Sequence, residues 1–237
     1  MILKKIIPSI LTSLNLLFGS LSVIFSIEGF NELAIYSIFI AAIFDFADGF
    51  SARLFNAISE FGKQLDSLSD LISFGFAPAM IFYFYIDKQF PGNNYLKFLP
   101  IIIIIFSALR LAKFNIDASQ SKSFKGLPTP ANAIFIVSIL HANSLTNNIV
   151  VGILSNQIIV GLIIIVLSLL LVSPIKMFSL KITNIKFRDN IYQIILVFSA
   201  IILIVFLDFL GIAISIILYI ALSIIKSIFE KNYKKIN

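Results

Sequence analysis

The sequence predicts an all-α protein, a polytopic bundle of membrane-spanning helices, and its composition is the first reason. Of the 237 residues, 59% are hydrophobic and only 13% are charged, and the mean hydropathy is +1.03. Soluble domains are about 45–50% apolar and about 25% charged, so a soluble globular domain and a disordered chain are both excluded. Apolar stretches of about 20 residues, the length that crosses a bilayer, follow one another almost end to end. We therefore expect one membrane domain over residues 1–237.

Hydropathy and turn residues together divide the chain into eight predicted helices. The breaks between the helices carry glycine, asparagine or proline, for example at Gly29, Asn56 and Pro174. The fifth and sixth helices are less sharply separated, because His141 to Asn148 reads either as a short turn or as part of one bent element. The eight predicted spans are residues 6–27, 33–55, 62–87, 96–115, 130–145, 149–172, 190–207 and 211–229.

The distribution of basic residues predicts the orientation of these spans. With eight spans and a cytoplasmic amino terminus, both termini are cytoplasmic, and all Lys and Arg residues except Lys88 and Lys97 lie on the cytoplasmic side. This asymmetry follows the positive-inside rule, and six spans are the alternative if one helix pair is interfacial or re-entrant. The net charge of +6 is thereby explained by topology and anionic lipid headgroups, so we expect no nucleic-acid partner.

Four carboxylates lie inside predicted spans, where charged groups are unfavourable. Asp45 and Asp48 are three residues apart on the second helix, and Asp66 and Asp70 are four apart on the third, so each pair shares a helix face. A charged side chain costs about 2.5–3.5 kcal/mol at mid-bilayer and less near the interface. A short turn around residues 56–61 joins the two helices as an antiparallel hairpin, so we expect the four carboxylates to converge near the cytoplasmic ends.

Four converging carboxylates are typical of a site for hard divalent cations. Mg²⁺, Mn²⁺ and Ca²⁺ prefer oxygen ligands, and no Cys or His joins the group, which argues against zinc. Gly49 and Ala52 let a phosphate-bearing ligand approach the helix backbone, Arg53 supplies a planar cation, and Gly62 opens the third helix on the same side. This combination at a bilayer interface predicts phosphoryl transfer on a lipid. An ion- or proton-coupled transporter that uses the same carboxylates is the alternative from a different class.

The residues from Asp45 to Asp70 form a spaced motif with eight fixed positions. The motif reads Asp-x2-Asp-Gly-x2-Ala-Arg-x8-Gly-x3-Asp-x3-Asp. It resembles the signature of the CDP-alcohol phosphatidyltransferases at every position and at every spacing. The resemblance implies a bundle with six core helices, commonly a homodimer. It also implies an enzyme that cleaves a CDP-linked lipid, transfers the phosphatidyl group to an alcohol and releases CMP with the help of divalent metal ions.

Sequences on both sides of the motif resemble the phosphatidylserine synthase branch of this family. The similar segments are residues 8–15, 67–79, 108–115 and 124–131. They imply that CDP-diacylglycerol and L-serine are the substrates. Phosphatidylglycerophosphate and phosphatidylinositol-type synthases are the alternatives within the family, because they share the eight motif residues and differ in the alcohol pocket. One departure is Lys113, where the branch more often has Arg, so the charge is kept and the bidentate geometry is lost.

The resemblance also implies roles for the residues of the motif. Asp70 would act as the general base towards the serine hydroxyl and would contact the metal centre. The predicted metal ligands are Asp45, Asp48, Asp66 and Asp70. The predicted contacts to the CDP moiety are Asp48, Gly49, Ala52 and Arg53. Gly62 and Asn15 are added to this set because of their positions in the sequence. The metal is expected to be Mg²⁺ or Mn²⁺, with Ca²⁺ as an alternative at one site.

Four polar residues outside the motif are further candidates, and each has a structural alternative. Asn15, an amide in the first apolar span, would contact the nucleotide or metal-bound water, or else bond to a neighbouring helix. Arg110, near the cytoplasmic end of the fourth span, would bind a phosphate or the serine carboxylate, or else anchor its helix at the headgroups. Lys113 and Lys125 on the same side would extend that anion pocket, or else be solvated loop charges.

Composition and orientation also predict the setting of the protein. The abundance of Ile, Lys, Asn and Phe suggests an AT-rich genome and hence a bacterial inner membrane, and the predicted orientation places the active site on the cytoplasmic face. The segment from Lys176 to Arg188 mixes apolar and basic residues, so it is either an interfacial helix or a basic loop.

Overall fold

The computed structural model describes residues 2–92, 95–117, 124–144, 148–179 and 190–236, and these residues are almost entirely helical. The helices are α1 (Ile2–Ile27), α2 (Asn31–Leu54), α3 (Glu60–Asp70), α4 (Ala77–Gln89), α5 (Ile101–Ile116), α6 (Thr129–Ser144), α7 (Asn148–Leu154), α8 (Gln157–Val172) and α9 (Ile191–Ile236). A π-helical turn (Leu71–Phe76) joins α3 to α4, and a 3₁₀ turn (Leu96–Phe98) precedes α5. Two short strands, β1 (Phe124–Lys125) and β2 (Lys176–Met177), pair antiparallel. The predicted all-α polytopic membrane bundle is confirmed.

Five helices in the described part of the chain are long and apolar enough to cross a membrane. They cover Ile6–Ile27, Asn31–Leu54, Glu60–Gln89, Leu96–Ile116 and Ile191–Ile228, and a shorter apolar helix covers Gln157–Val172. Asp208 interrupts α9 with φ 49° and ψ −127°, at the break predicted between the last two spans. The predicted sixth span is also divided, because α7 ends at Leu154 and the side chain of Asn156 caps α8 through the backbone N–H groups of Ile158 and Ile159. The count of eight spans stays a prediction.

An apolar core fills the space between α2, α4, α6 and α8. Its fully buried side chains include Ile38, Phe82, Ile136 and Ile164, which come from these four helices. Many other large apolar side chains on α2 and α8, such as Ile43 and Val166, are exposed on the protein surface, as expected for helices that face lipid, whereas those of α4 and α6 are buried or half-buried. The core therefore fixes how the helices lie relative to one another, and the polar site lies at one end of it.

Helix-capping interactions at the end of α2 and at the start of α3 define the hairpin between them. Shortly after the end of α2, Asn56 adopts a left-handed conformation (φ 50°). The N–H of Ala57 then donates to the carbonyl of Ala52, the 6→1 hydrogen bond that often ends a helix. α3 starts at an N-cap serine, Ser59, whose hydroxyl accepts from the N–H of Gly62 at 3.0 Å. The short connection brings the two halves of the carboxylate motif face to face.

Two serines in the first half of the long Glu60–Gln89 span form hydrogen bonds to α1. Ser69 donates to the carbonyl of Thr12 at 3.2 Å, and Ser73 donates to the carbonyl of Asn15 at 2.9 Å. A Cβ on Gly19 would collide with Ser73, so glycine is what allows this close approach. The π-helical turn follows directly after Asp70, and π-turns of this kind often occur at functional sites.

The two-stranded sheet connects α6 to the carboxyl-terminal part of the chain. Gly126, with φ +79°, lies against the carbonyl of Leu171, where any Cβ would collide. A small buried cluster covers the sheet and includes Leu127, Met177, Phe178, Leu196 and Tyr219. Residues 176–177 are strand and residues 178–179 have no regular secondary structure, and the rest of the segment predicted as interfacial helix or basic loop lies outside the described residues.

Candidate active site

Three of the four predicted carboxylates meet in the structure. One oxygen each of Asp45, Asp48 and Asp66 lies within 4.8 Å of the other two. Two oxygens bound to one divalent cation are separated by at most twice the metal–oxygen distance, which is about 4 Å for Mg²⁺ and about 5 Å for Ca²⁺. This group of carboxylates can therefore hold a divalent cation after small side-chain movements.

The burial of these carboxylates is the second observation that fits a cation. Asp48 is only 5% exposed. Oδ2 of Asp48 and Oδ1 of Asp66 are buried and have no hydrogen-bond partner among the described residues. Neither carboxylate is in a salt bridge among those residues, and a buried charge without a partner is strongly unfavourable. The donor set is made of oxygen atoms alone, which is the chemistry that Mg²⁺, Mn²⁺ and Ca²⁺ prefer.

Asp70 lies on the wall of the same cavity but is not one of the three clustered carboxylates. It is 8% exposed, and its Oδ1 accepts a hydrogen bond from the side-chain amide of Asn15 at 3.3 Å. Asn15 is fully buried, and its own Oδ1 has no partner among the described residues. Asn15 thus contacts α3 through the residue predicted as the base, and its role towards the nucleotide stays a prediction.

A cavity of about 750 Å³ opens from the carboxylates towards α5 and the carboxyl-terminal part. All four motif aspartates line this cavity, together with Arg53 on one side and Arg110 on the other. Among its lining residues, Phe46 is 70% exposed, whereas Phe178 and Tyr219 are only 6% and 8% exposed. The cavity therefore combines charged side chains with an exposed aromatic side chain, Phe46.

A smaller cavity of about 200 Å³ adjoins the large one between α1 and the α2–α3 hairpin. Asp48, Gly49 and Asp66 line both cavities, so the carboxylates lie at the junction. Ala52 and Gly62, two further small residues of the motif, line the smaller cavity alone. The small residues leave the backbone of both helices accessible from this space.

The basic residues predicted outside the motif gather around a third cavity of about 450 Å³. Arg110, Lys113 and Lys125 line it together with Asp117, which forms an ion pair with Lys125 at 3.0 Å. Arg110 also lines the large cavity, so its side chain separates the two spaces. Its Nη1 donates to Thr129 at 3.2 Å, and its Nε is buried without a partner among the described residues. Arg110 is thus a partly buried cation whose buried Nε has donor capacity left for an anion.

Several residues that line the large cavity are not among the predicted site residues, and three of them come from the carboxyl-terminal part of the chain. Phe178, Ser179 and Tyr219 line the large cavity together with residues of the α2–α3 hairpin. In the sequence, Tyr219 stands out only as a polar aromatic residue in a mainly apolar helix. Tyrosines occur in many membrane helices for other reasons. These contacts depend on how α9 packs, so hydropathy and spacing carry no signal for them.

The fold and the site together define an integral membrane protein with a cation-competent carboxylate site inside its helix bundle. The sequence model of the family "CDP-alcohol phosphatidyltransferase" matches residues 5–173. The chain belongs to this family, and the predicted family and class of enzyme are confirmed.

Curated relatives agree with this assignment. The chain is 31% identical over 228 residues to a CDP-diacylglycerol–serine O-phosphatidyltransferase of Helicobacter pylori, with 94% of this chain and 91% of the relative covered. It is 34% identical over 176 residues to a protein of the same name from Methanocaldococcus jannaschii, with 73% and 75% covered. It is also 39% identical over 136 residues to an archaetidylserine synthase of Methanothermobacter thermautotrophicus, with 56% of each chain covered.

Proposed function

We propose that this protein transfers the phosphatidyl group of CDP-diacylglycerol to the hydroxyl of L-serine and releases CMP. The observation that carries the proposal is the convergence of Asp45, Asp48 and Asp66, with Asp70 on the wall of the same cavity. The full-length relative with this activity in its name supports the choice of substrates. The serine oxygen forms a bond to the lipid-bearing phosphorus, the bond from that phosphorus to the CMP oxygen breaks, and the hydroxyl proton passes to the enzyme.

Asp45, Asp48 and Asp66 are the residues that would hold the divalent cation, with Asp70 in contact with the metal centre. The cation is Mg²⁺ or Mn²⁺, with Ca²⁺ as an alternative at one site. When bound, it offsets negative charge on the diphosphate and on the departing CMP. The buried, unpartnered oxygens of Asp48 and Asp66 support this assignment.

Asp70 is the general base. Its Oδ1 accepts the amide of Asn15, so Oδ2 is the atom that we assign to take the proton of serine. The hydrogen bond holds the plane of the carboxylate, and the location of Asp70 on the cavity wall allows a substrate hydroxyl to reach it. Geometry of this kind is what general-base catalysis requires first.

The nucleotide occupies the smaller cavity. Gly49, Ala52 and Gly62 leave room for the cytidine and ribose, and Asp48 lies at the junction where the diphosphate meets the carboxylates. Arg53, on the side of the large cavity, reaches the phosphates as a planar cation. The lipid tails then leave the large cavity past exposed Phe46 into the membrane.

Serine enters from the basic side, where Arg110 separates the two spaces. The buried Nε of Arg110 is a donor for the serine carboxylate, and Lys113 and Lys125 raise the positive potential around the entrance. A carboxylate held at Arg110 would direct the serine hydroxyl into the large cavity, which Asp70 also lines. Arg110→Lys should therefore raise the KM for serine with little change in CMP binding, because the bidentate geometry is lost.

The remaining expectations about the setting are part of the same proposal. Residues 1–237 form one domain with both termini and the active site on the cytoplasmic side of a bacterial inner membrane. The distribution of Lys and Arg supports this orientation. Assembly as a homodimer follows from the family resemblance.

The test is an acceptor-competition assay with the purified protein. CMP release and lipid labelling are measured with CDP-diacylglycerol, labelled L-serine and Mn²⁺ or Mg²⁺, with glycerol-3-phosphate and inositol as competing acceptors. Asp70→Asn should abolish labelling, whereas Asp208→Asn, at the exposed break in α9, is the matched control and should retain it. CMP release with another acceptor alone would retain the family and contradict the serine assignment. No nucleotide chemistry with any acceptor would favour the transporter alternative.

A further inference from the structure

An aromatic wall lines the large cavity, and it lies outside the part of the chain that matches the family. The wall consists of Phe178 and Tyr219, whereas the family match ends at residue 173. Phe178 is 6% exposed and Tyr219 is 8% exposed. Both rings line the cavity together with Asp70 and Arg110. Two aromatic side chains supplied by the carboxyl-terminal part of this chain therefore face the reaction space.

The wall is held rigidly by contacts among its own members. The hydroxyl of Tyr219 donates to the backbone carbonyl of Phe178 at 2.9 Å, and the two rings meet edge to face with centroids 5.1 Å apart. On the other side, the ammonium group of Lys226 lies 5.5 Å from the ring of Phe178 and 5.6 Å from the ring of Tyr192. Edge-to-face and cation–π contacts of this kind favour one ring orientation. The side chains thus form a fixed surface rather than a mobile flap.

The two sides of the cavity differ in a way that suggests separate tasks. Phe46 is largely exposed, so the proposed function places the acyl chains of the donor beside it. Phe178 and Tyr219 are buried beside Arg110, on the side where we place serine. On that side the cavity borders the basic entrance, which is also where water would arrive. An apolar surface there removes positions at which water could be held by hydrogen bonds.

We propose that the Tyr219–Phe178 wall excludes water from the lipid-bearing phosphorus, so that serine and not water accepts the phosphatidyl group. This inference rests on the proposed transferase function. In the competing reaction the oxygen of water forms the new bond to phosphorus and the bond to the CMP oxygen breaks. The products are then phosphatidate and CMP, with one proton released. Water is far more abundant than serine, so an enzyme that activates this phosphorus needs a device that lowers water access.

The experiment measures how each variant divides the same donor between the two acceptors. Purified protein in mixed micelles receives CDP-diacylglycerol, labelled L-serine and Mn²⁺, and the ratio of phosphatidate to phosphatidylserine is determined. CMP release without serine is measured in parallel. The variants are Tyr219→Ala, Phe178→Ala and Tyr219→Phe, and the control is Phe198→Ala, which removes an exposed ring elsewhere on α9. The ratio is measured only on active molecules, so an unfolded fraction does not change it.

Tyr219→Ala and Phe178→Ala should each raise the ratio by about tenfold, which corresponds to a relative barrier change of about 1.4 kcal/mol. Tyr219→Phe keeps the ring and should stay close to wild type, as should Phe198→Ala. An unchanged ratio in both alanine variants would overturn the inference, as would a rise in Tyr219→Phe equal to that in Tyr219→Ala. If the wild-type protein forms no phosphatidylserine, the proposed function itself fails, which is a distinct result from an unchanged ratio.

Discussion

Replacement of Asn15 by leucine tests how much the catalytic carboxylate depends on one buried amide. Leucine has a similar size but no donor, so Asn15→Leu removes the hydrogen bond from Nδ2 to Oδ1 of Asp70. Asn15 is fully buried and Asp70 is 8% exposed, so water has little access to replace the lost donor. The change therefore acts on the position and the electrostatic environment of the base, without removing the base itself.

The expected magnitude follows from the geometry of this hydrogen bond. A hydrogen bond to a charged group contributes about 1.5–3 kcal/mol. The 3.3 Å distance is beyond the usual 2.7–3.2 Å, so the lower end of that range, about 1.5 kcal/mol, is the appropriate estimate. An effect of that size on the barrier lowers kcat by about tenfold. Asn15 lines neither the small cavity nor the large one, so CMP affinity should be unchanged.

The assay separates these two quantities. Serine-dependent CMP release gives kcat, and the shift of the unfolding temperature with CMP concentration gives nucleotide affinity. Ser13→Ala is the matched control, because Ser13 is an exposed polar residue on the same helix. A fall in kcat of less than about twofold would refute the positioning argument. Weaker CMP binding with an unchanged kcat would instead support the alternative that Asn15 contacts the nucleotide.

Three further substitutions test the metal site and two close helix contacts. Asp66→Asn should raise the Mn²⁺ concentration needed for half-maximal thermal stabilisation by at least about tenfold. An unchanged Mn²⁺ midpoint would contradict the role of Asp66 as a ligand. Gly19→Ala forces a Cβ into Ser73, so the protein should lose about 1–3 kcal/mol of stability, and an unchanged unfolding temperature would show that α1 can shift freely. Gly126→Ala places a Cβ against the end of α8 at φ +79° and should lower the unfolding temperature more than Gly92→Ala, which has φ +96° but open space around it. Equal effects of the two glycine substitutions would mean that the close contact contributes nothing beyond the backbone conformation.

Local spacing accounts for the part of the site that the sequence predicts. Asp45 and Asp48, and likewise Asp66 and Asp70, share a helix face because of the helical repeat, and a short turn forces the two faces together. The approach of Asp45, Asp48 and Asp66 to within 4.8 Å agrees with that expectation. The residue types alone therefore indicate cation chemistry before any contact is known.

Other contacts of the site depend on helices that are distant in the chain. Asn15 could bind nucleotide or a neighbouring helix on sequence grounds, and only the packing of α1 against α3 shows that its amide donates to Asp70. Arg110 could bind an anion or anchor its helix at the headgroups on sequence grounds, and only the structure shows that it lines two cavities and donates to Thr129. Hydropathy describes only which residues avoid water, so it leaves such pairings open.

The sequence by itself determined the all-α membrane class, the family and the four carboxylates, because composition and short-range spacing are properties of the linear chain. Only the tertiary structure decided which cavities those carboxylates share and which residues close them. Tyr219 and Phe178 reach the cavity because α9 folds back over the two-stranded sheet, a contact between parts of the chain that no local pattern relates. In a uniformly apolar helix, nearly every face can be exposed to lipid at a similar free energy. Close packing at particular residues then selects the face that meets the site.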